Sequence, residues 1–416
     1  MPERKLRIGI IGDGRRGRSH IRTITELPDL YELAAVSDPA YAHGKEPAQE
    51  ARQARSYISV RDLLSKEKLD VAVIATPPET HHIIATLVAE RGVPMLIETP
   101  LALTRAMMNV LAGAIAKAGV PAEAGENMWR RPVEQLNQKA IAQGLIGRVL
   151  RVSSYYESAG SDSCYHTMSL LRTYAGADAE AVRSFSREFP LDPIPGQKSG
   201  EEKPSEPIHP MTGLTEEKWT QAELRYANGV LGSCTYVTGW MGPLRRGHPR
   251  FMTIEGTEGF IITGDADVNT LRRVEGFTPR DYPKRVAFQK LGDREVPMRY
   301  YYETHPEVEY RNPFSDRFLT DSGAGGVPSD GIARAHELQS IFNSITRGAD
   351  PRYSVARARR DQELSITIHE AAGREGWLRS VELPDETEWE RSQHEVFRKE
   401  WGADPIKELP ALLKRM

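Results

Sequence analysis

Leu6-Arg7-Ile8-Gly9-Ile10-Ile11-Gly12-Asp13-Gly14-Arg15-Arg16-Gly17 is the stretch whose reading decides the fold. An apolar run passes without a break into G-x-G-x-x-G, which is the transition from a buried strand through a phosphate loop into a helix. The first glycine permits a tight turn and the second lets backbone approach a diphosphate. The third allows helix and strand to pack closely, while the helix N-terminus offers unpaired N–H groups to the anion. The second apolar run ends in Ser37-Asp38, 21 residues after Gly17. An acid there accepts hydrogen bonds from the adenosine ribose and repels a 2′-phosphate, so NAD is expected in preference to NADP. A turn-glycine cluster with an N-capping Asp38, in some other doubly wound protein, is the competing interpretation. Arg15 and Arg16 either assist the diphosphate or stand in solvent.

Working outward, Leu33–Ser37, Val71–Thr76, Met95–Glu98 and Val120–Ala124 read as further strands. Helix-like segments alternate with them, among them Thr80–Gly92 with Ile83, Ile84, Leu87 and Val88 at helical spacing. The rhythm is that of βαβ units and a parallel sheet. Beyond Pro132 it changes. Gly147–Tyr156 alternates as a strand and Tyr165–Tyr174 is helical. Trp219–Tyr226 and Val230–Thr238 flank Asn228-Gly229 as a hairpin, and Phe251–Glu255 pairs with Phe260–Thr263. The expected architecture is an α/β Rossmann domain over residues 1–125, followed over 126–385 by an α+β domain with a large, mostly antiparallel, open-faced sheet. Residues 386–416 read as a charged tail with an amphipathic stretch. Segments 189–217 and 265–330, rich in turn residues, read as loops, and helices are expected over 331–347 and 354–375.

A chain of 416 residues fits two domains. A formal charge of −3 provides no electrostatic footprint for nucleic acid. No run of about 18 apolar residues and no signal sequence is seen, so a cytoplasmic protein without membrane contact is expected. Two cysteines, Cys164 and Cys234, suggest neither a disulfide framework nor structural zinc. Cys164 reads as a packing residue, and the adjacent His81 and His82 point apart and make no metal pair, so no metal is expected.

Ile74-Ala75-Thr76-Pro77-Pro78-Glu79-Thr80-His81, with Glu98-Thr99-Pro100 following 17 residues after His81, resembles the Gfo/Idh/MocA oxidoreductase family. Further similar elements are Glu126-Asn127-Met128-Trp129-Arg130-Arg131-Pro132, then Gly147, then Asp162 and His166 with Leu170-Leu171-Arg172 and Gly176, and last the Glu255–Gly259 turn. The resemblance covers roughly residues 5–264. It implies an NAD(P)-dependent dehydrogenase of a sugar, inositol or related polyol, and a homo-oligomer, dimer or tetramer, built on the open sheet. It implies cofactor contacts from Gly12, Gly14, Arg15, Arg16, Gly17, Asp38, Thr76, Pro77, His81 and Glu98, and substrate contacts from Asn127, Tyr156 and Tyr165. Asp162 and His166 are one helical turn apart, so the carboxylate can orient the imidazole, whose pKa suits the removal of a hydroxyl proton. In the family register His166 is the acid/base and Asp162 its partner.

Three departures stand out. Thr99 replaces the family's lysine, Ser169 stands where an acid is common, and the loop before Asp162 is cut to Ser158-Ala159-Gly160. Thr99, at the catalytic position, carries no charge, and Tyr155, Tyr156 or Tyr165 is a candidate substitute for the missing amine. The loss keeps two other functions open: a glycosidase or lyase that retains NAD and oxidises its sugar transiently, and a non-catalytic NAD-binding sensor. Tyr300, Tyr301, Tyr302 and Trp240 either stack on sugar rings or cover the open sheet.

Overall fold

A computed structural model describes residues 4–159, 163–190, 216–238, 251–264, 269–319 and 329–416. The N-terminal sheet is built from β1 (Leu6–Ile11), β2 (Tyr31–Ser37), β3 (Arg55–Tyr57), β4 (Val71–Ile74), β5 (Met95–Glu98) and β6 (Ala122–Gly125). All are parallel, in the order β3-β2-β1-β4-β5-β6. That order places a crevice at the carboxyl ends of β1 and β4, where connections leave in opposite directions. The strand that sequence reading misses is β3. It has three residues on the sheet edge, two of them exposed, and no apolar run to announce it.

Helices α1 (Arg15–Thr25), α2 (Val60–Lys66), α3 (His81–Glu90) and α4 (Arg105–Ala118) make the crossovers. Helix α3 is buried from His81 to Ala89 instead of along one stripe. What covers its second side is the segment that reads as a charged tail. Residues Glu388–Trp401 and Leu409–Arg415 form two helices that bury Phe397 and Leu412, and His82 Nε2 lies 3.0 Å from the Pro405 carbonyl. Glu390 accepts from the Arg105 backbone N–H at 2.8 Å and completes a capping box with Thr387. The abundant charges lie on the outward stripe, which is why the segment looks like a tail in sequence.

The remaining elements are α5 (Pro132–Ala142), β7 (Val149–Ala159), α6 (Ser163–Ala175), β8 (Ala179–Pro190), β9 (Glu216–Tyr226), β10 (Leu231–Thr238), β11 (Phe251–Gly256), β12 (Gly259–Gly264), β13 (Thr270–Glu275) and β14 (Thr278–Pro283). Eight of these strands form one sheet, ordered β14-β13-β12-β11-β7-β10-β9-β8. Strands β7 and β10 run parallel and every other neighbouring pair antiparallel. Val182, Leu224 and Tyr236 face inward onto α6 and the later helix Val355–Ala371, whereas Phe185 and Leu231 are exposed on the outer face.

The expectation of a loop over 265–330 is overturned. The segment holds β13 and β14, then β15 (Arg285–Leu291), β16 (Arg294–Tyr302) and β17 (Val308–Arg311) as a separate antiparallel sheet. The turn residues are present, with Gly276 and Gly292 at positive φ closing two hairpins. Strand β14 is exposed along nearly its whole length and is joined to β13 by cross-strand pairs such as Arg272 with Asp281. Without an apolar alternation the period-2 signal is lost. Of the 189–217 segment, Phe189 and Pro190 end β8 and Glu216 and Glu217 begin β9; residues 191–215 lie outside the described residues.

Helices α7 (Asp330–Arg347) and α8 (Val355–Ala371) follow, and the two C-terminal helices become α9 and α10. Although α7 comes late in the chain, it packs on the Rossmann sheet. Ile332, Leu338, Ile341 and Phe342 share a core with Ile8, Ile10, Ile21 and Ile24. The Tyr31 hydroxyl donates to the Leu338 carbonyl at 2.6 Å.

The buried seam under α9 sets a stability expectation. Phe397→Ala is expected to destabilise the protein by about 3–5 kcal/mol, whereas Val396→Ala, 52% exposed in the parent, changes stability by less than about 0.5 kcal/mol. Urea unfolding of both variants checks this, and equal small effects would refute a packed C-terminus.

Candidate functional site

The phosphate loop shows why each of its glycines is there. Gly12 has φ +100°, and a Cβ on it would lie 2.7 Å from the Ala75 carbonyl oxygen. A Cβ on Gly17 would come within 1.8 Å of the Gly12 carbonyl oxygen, so only glycine lets α1 pack this close to β1. A Cβ on Gly14 would meet nothing within 4 Å, and this residue caps α1 with no side-chain hydrogen bond. An open backbone cradle at a helix N-terminus fits the diphosphate of a dinucleotide. Arg15 points to solvent.

Asp38 closes β2 as the cap of the turn that follows and as an acceptor toward the phosphate loop. Its Oδ1 caps the following turn through the Ala40 N–H at 2.8 Å, while Oδ2 accepts from the Asp13 N–H at 2.9 Å and from Lys45 Nζ at 2.6 Å. Burial pushes its carboxyl up, but Lys45 and the two N–H groups more than offset this and hold it below the usual carboxylate range. Lys45 was not anticipated; a lysine seven residues after the acid belongs to no pattern.

The loop after β4 is tied down locally. Thr76 Oγ1 and Thr80 Oγ1 are 2.8 Å apart, and Thr80 Oγ1 donates to the Pro77 carbonyl at 2.7 Å. His81 is fully buried, with Nε2 at 2.8 Å from the Thr76 carbonyl and Nδ1 at 3.0 Å from the Pro100 carbonyl. Burial lowers its pKa against the pull of both carbonyls, and a neutral ring donates to one of them. His81 therefore positions the two loops, after β4 and after β5.

Glu98, at the end of β5, accepts from Arg16 Nε at 2.6 Å and His20 Nε2 at 2.5 Å. Burial opposes its ionisation, but Arg16 and His20 hold it well below the usual carboxylate range. Glu337, from α7, reaches the same point fully buried, and among the described residues neither of its carboxylate oxygens has a hydrogen-bond partner. Burial first, then repulsion from Glu98, push its carboxyl well above the ordinary range, outweighing Arg16, Arg130 and Arg334. Thr99 follows, half-buried at the crevice.

At the end of β6 the structure supplies a group that sequence reasoning missed. His166 Nδ1 is 2.7 Å from Glu126 Oε2, and Glu126, fully buried, also accepts from the Met128 N–H at 2.9 Å. His166 retains 35% side-chain exposure, whereas the Glu126 side chain has none. The signal for Glu126 was an acid directly following a strand at the crevice. Asp162 and Trp240, and the side chains of Cys164 and Tyr156, lie outside what is described.

The expectation that Tyr165 contacts substrate does not fit its position. It is 1% exposed, its buried hydroxyl meets no partner among the described residues, and its ring packs edge-on to His166 at 6.1 Å. Asn127 is nearly buried and donates to Asp330 Oδ1 at 3.2 Å, which Arg131 Nε also meets at 3.0 Å. Tyr155 stacks on Phe251, Tyr300 and Tyr302 are buried, and Tyr301 lies under Arg299.

Residues 6–125 match the family model GFO_IDH_MocA, described as an oxidoreductase family with an NAD-binding Rossmann fold. The rhizopine catabolism protein MocA of Rhizobium meliloti is 33% identical over 36% of this chain and 47% of its own length. Inositol 2-dehydrogenase 2 of Saccharopolyspora erythraea is 33% identical over 37% and 46%. In these two matches the chain spans about half the length of the relative. The levoglucosan dehydrogenase of Pseudarthrobacter phenanthrenivorans is 25% identical over 90% of this chain and 97% of its own. A solved levoglucosan dehydrogenase in complex with NADH and levoglucosan shares the fold, with a TM-score of 0.65 at 21% identity over 91% of this chain and 100% of that one. So does the WlbA dehydrogenase from Bordetella pertussis in complex with NADH and UDP-GlcNAcA, at 0.61 and 20% over 92% and 99%.

Glu337 generates a pH expectation. It is protonated in the folded protein and ionised in the unfolded chain near neutral pH. Its contribution to stability is complete below its ordinary value of 4.5 and is lost as the pH climbs through the raised one. Between pH 5 and pH 8 the Tm of Glu337→Gln should therefore fall less than that of the parent. Parallel melting curves across that range would show that Glu337 is not held neutral.

Proposed function

Because residues 6–125 match the Gfo/Idh/MocA oxidoreductase family, we propose that the chain is a member of it and an NAD-dependent dehydrogenase acting on a secondary hydroxyl of a sugar, sugar derivative or cyclitol. The observation that carries this reading is the His166–Glu126 pair at the carboxyl end of β6, beside the part of the crevice that would receive the nicotinamide. NAD, when bound, supplies the hydride acceptor. Gly12, Gly14 and Gly17 would hold its diphosphate, and Asp38 its adenosine ribose.

Removing hydride from a secondary alcohol requires the hydroxyl proton to leave as well. Glu126 accepts from Nδ1 and thereby fixes the imidazole tautomer, so proton uptake falls to Nε2. As the ring becomes imidazolium, the buried Glu126 carboxylate stabilises it without itself taking the proton. The products are a ketone, the reduced cofactor and a protonated His166, which then returns its proton to water. Thr99 adds a hydroxyl, and no charge, at the end of β5.

The outer face of the large sheet, with Phe185 and Leu231 exposed, supports assembly into a dimer or tetramer, which light scattering reports. Net NADH formation at 340 nm, screened over sugars and cyclitols, separates this reading from two others. An NAD-retaining lyase yields product without that signal, and a sensor yields neither.

His166→Ala is expected to lower kcat by at least about 100-fold, with Glu126→Gln lowering it in the same direction and NAD affinity nearly unchanged in both. Full turnover in either variant would remove that residue from the mechanism. Asp38→Ser should shift preference toward NADP by about 1–3 kcal/mol, because it removes the carboxylate and frees the Lys45 ammonium to meet a 2′-phosphate. Calorimetry on the parent showing equal affinity for both cofactors would refute the Asp38 assignment.

A further inference from the structure

Arg16 stands on the first turn of α1, from which a long side chain can turn toward either half of a bound dinucleotide. The sheet order settles which way it goes. Asp38 ends β2, on one side of β1, and Glu98 ends β5, two strands from β1 on the other. With strands about 4.8 Å apart, a side chain rooted beside β1 that meets Glu98 leans about 10 Å away from the adenosine ribose. Arg16 does this, donating from Nε to Glu98 Oε1 at 2.6 Å, and Glu98 is held in turn by His20. Among the described residues Arg16 makes no other hydrogen bond, and its side chain is 29% exposed. The guanidinium is thus held at the carboxyl end of β5, where Thr99 follows Glu98, and its charge also faces Glu337 and Asp330 of α7.

We propose that Arg16 is the fixed positive charge of the nicotinamide half of the site, and that it makes the protein hold the reduced cofactor in preference to the oxidised one. The inference rests on the dehydrogenase reading above. The oxidised nicotinamide ring carries a positive charge that arrives with the cofactor and disappears when hydride is delivered. A guanidinium nearby repels the ring before transfer and not after it, so the same residue favours hydride moving from the alcohol to the cofactor. Glu98 offsets part of this field, which limits the effect to several-fold. A role on the diphosphate differs in its signature, because both redox forms carry the same diphosphate.

The test titrates the full-length parent, Arg16→Ala and Arg16→Lys with NADH by fluorescence and with NAD by calorimetry, at low ionic strength. The ratio of the NAD Kd to the NADH Kd should fall by about 5- to 10-fold in Arg16→Ala and be largely kept in Arg16→Lys. If both constants weaken by one common factor, Arg16 serves the diphosphate and the inference is overturned. Unchanged constants overturn it as well. Should Arg16→Ala fail to fold by circular dichroism, Arg16→Gln carries the same comparison. A parent that binds both forms equally sinks this inference alone, and one that binds neither sinks the dehydrogenase reading with it.

Discussion

A carboxylate taken out of water has to be met by positive charge and hydrogen bonds, and Glu98 imposes this on everything around it. It lies 6% exposed at the carboxyl end of β5, where it draws Arg16 from the start of α1 and His20 from the next turn. Three consequences follow. The phosphate loop is tied to the far side of the crevice, Thr99 is delivered to the crevice edge, and a second carboxylate at the same point, Glu337, is driven into its neutral form. Such a cluster contributes little net stability, because desolvation offsets the Coulombic attraction. What it supplies is position.

Position at β6 is obtained in a similar way from farther along the chain. Helix α7 lies over the Rossmann sheet, and its Ser340 hydroxyl donates to Glu123 Oε2 at 2.7 Å; Glu123 is also paired with the fully buried Arg130. Arg130 Nε reaches back to the Glu126 carbonyl at 3.2 Å. Helix α6 is anchored from the opposite side by Arg172, which makes a two-pronged contact with Asp361 on α8 at 2.6 and 2.8 Å. Glu126 and His166 meet because both of their elements are clamped by buried ionic contacts to C-terminal helices. The site is thus a seam between early and late parts of the chain, with an imidazole held by a carboxylate 40 residues away.

The two C-terminal helices show the same principle in apolar form. Helix α3 buries nearly all of its surface, which one face of a sheet cannot provide, and α9 and α10 supply the rest. Charged residues in the last 30 positions are the solvent side of that arrangement.

Much of the N-terminal domain follows from local rules. Apolar runs that become strands, the glycines whose absent Cβ atoms make room for backbone, and an acid at the end of β2 are each dictated by interactions within a few residues or by the phosphate-loop pattern, and these were legible. The helix that carries His166 was legible behind β7. The meeting of His166 with Glu126 was not, since that carboxylate arrives from the end of a distant strand. Lys45 beside Asp38, Arg16 turned toward Glu98, Tyr165 withdrawn into the core, and the polar strands of 265–330 likewise depend on which distant elements pack together. Periodicity reports the faces of single elements. Which charges those faces bring within 3 Å of one another is set by the packing of helices from the end of the chain onto strands from its beginning.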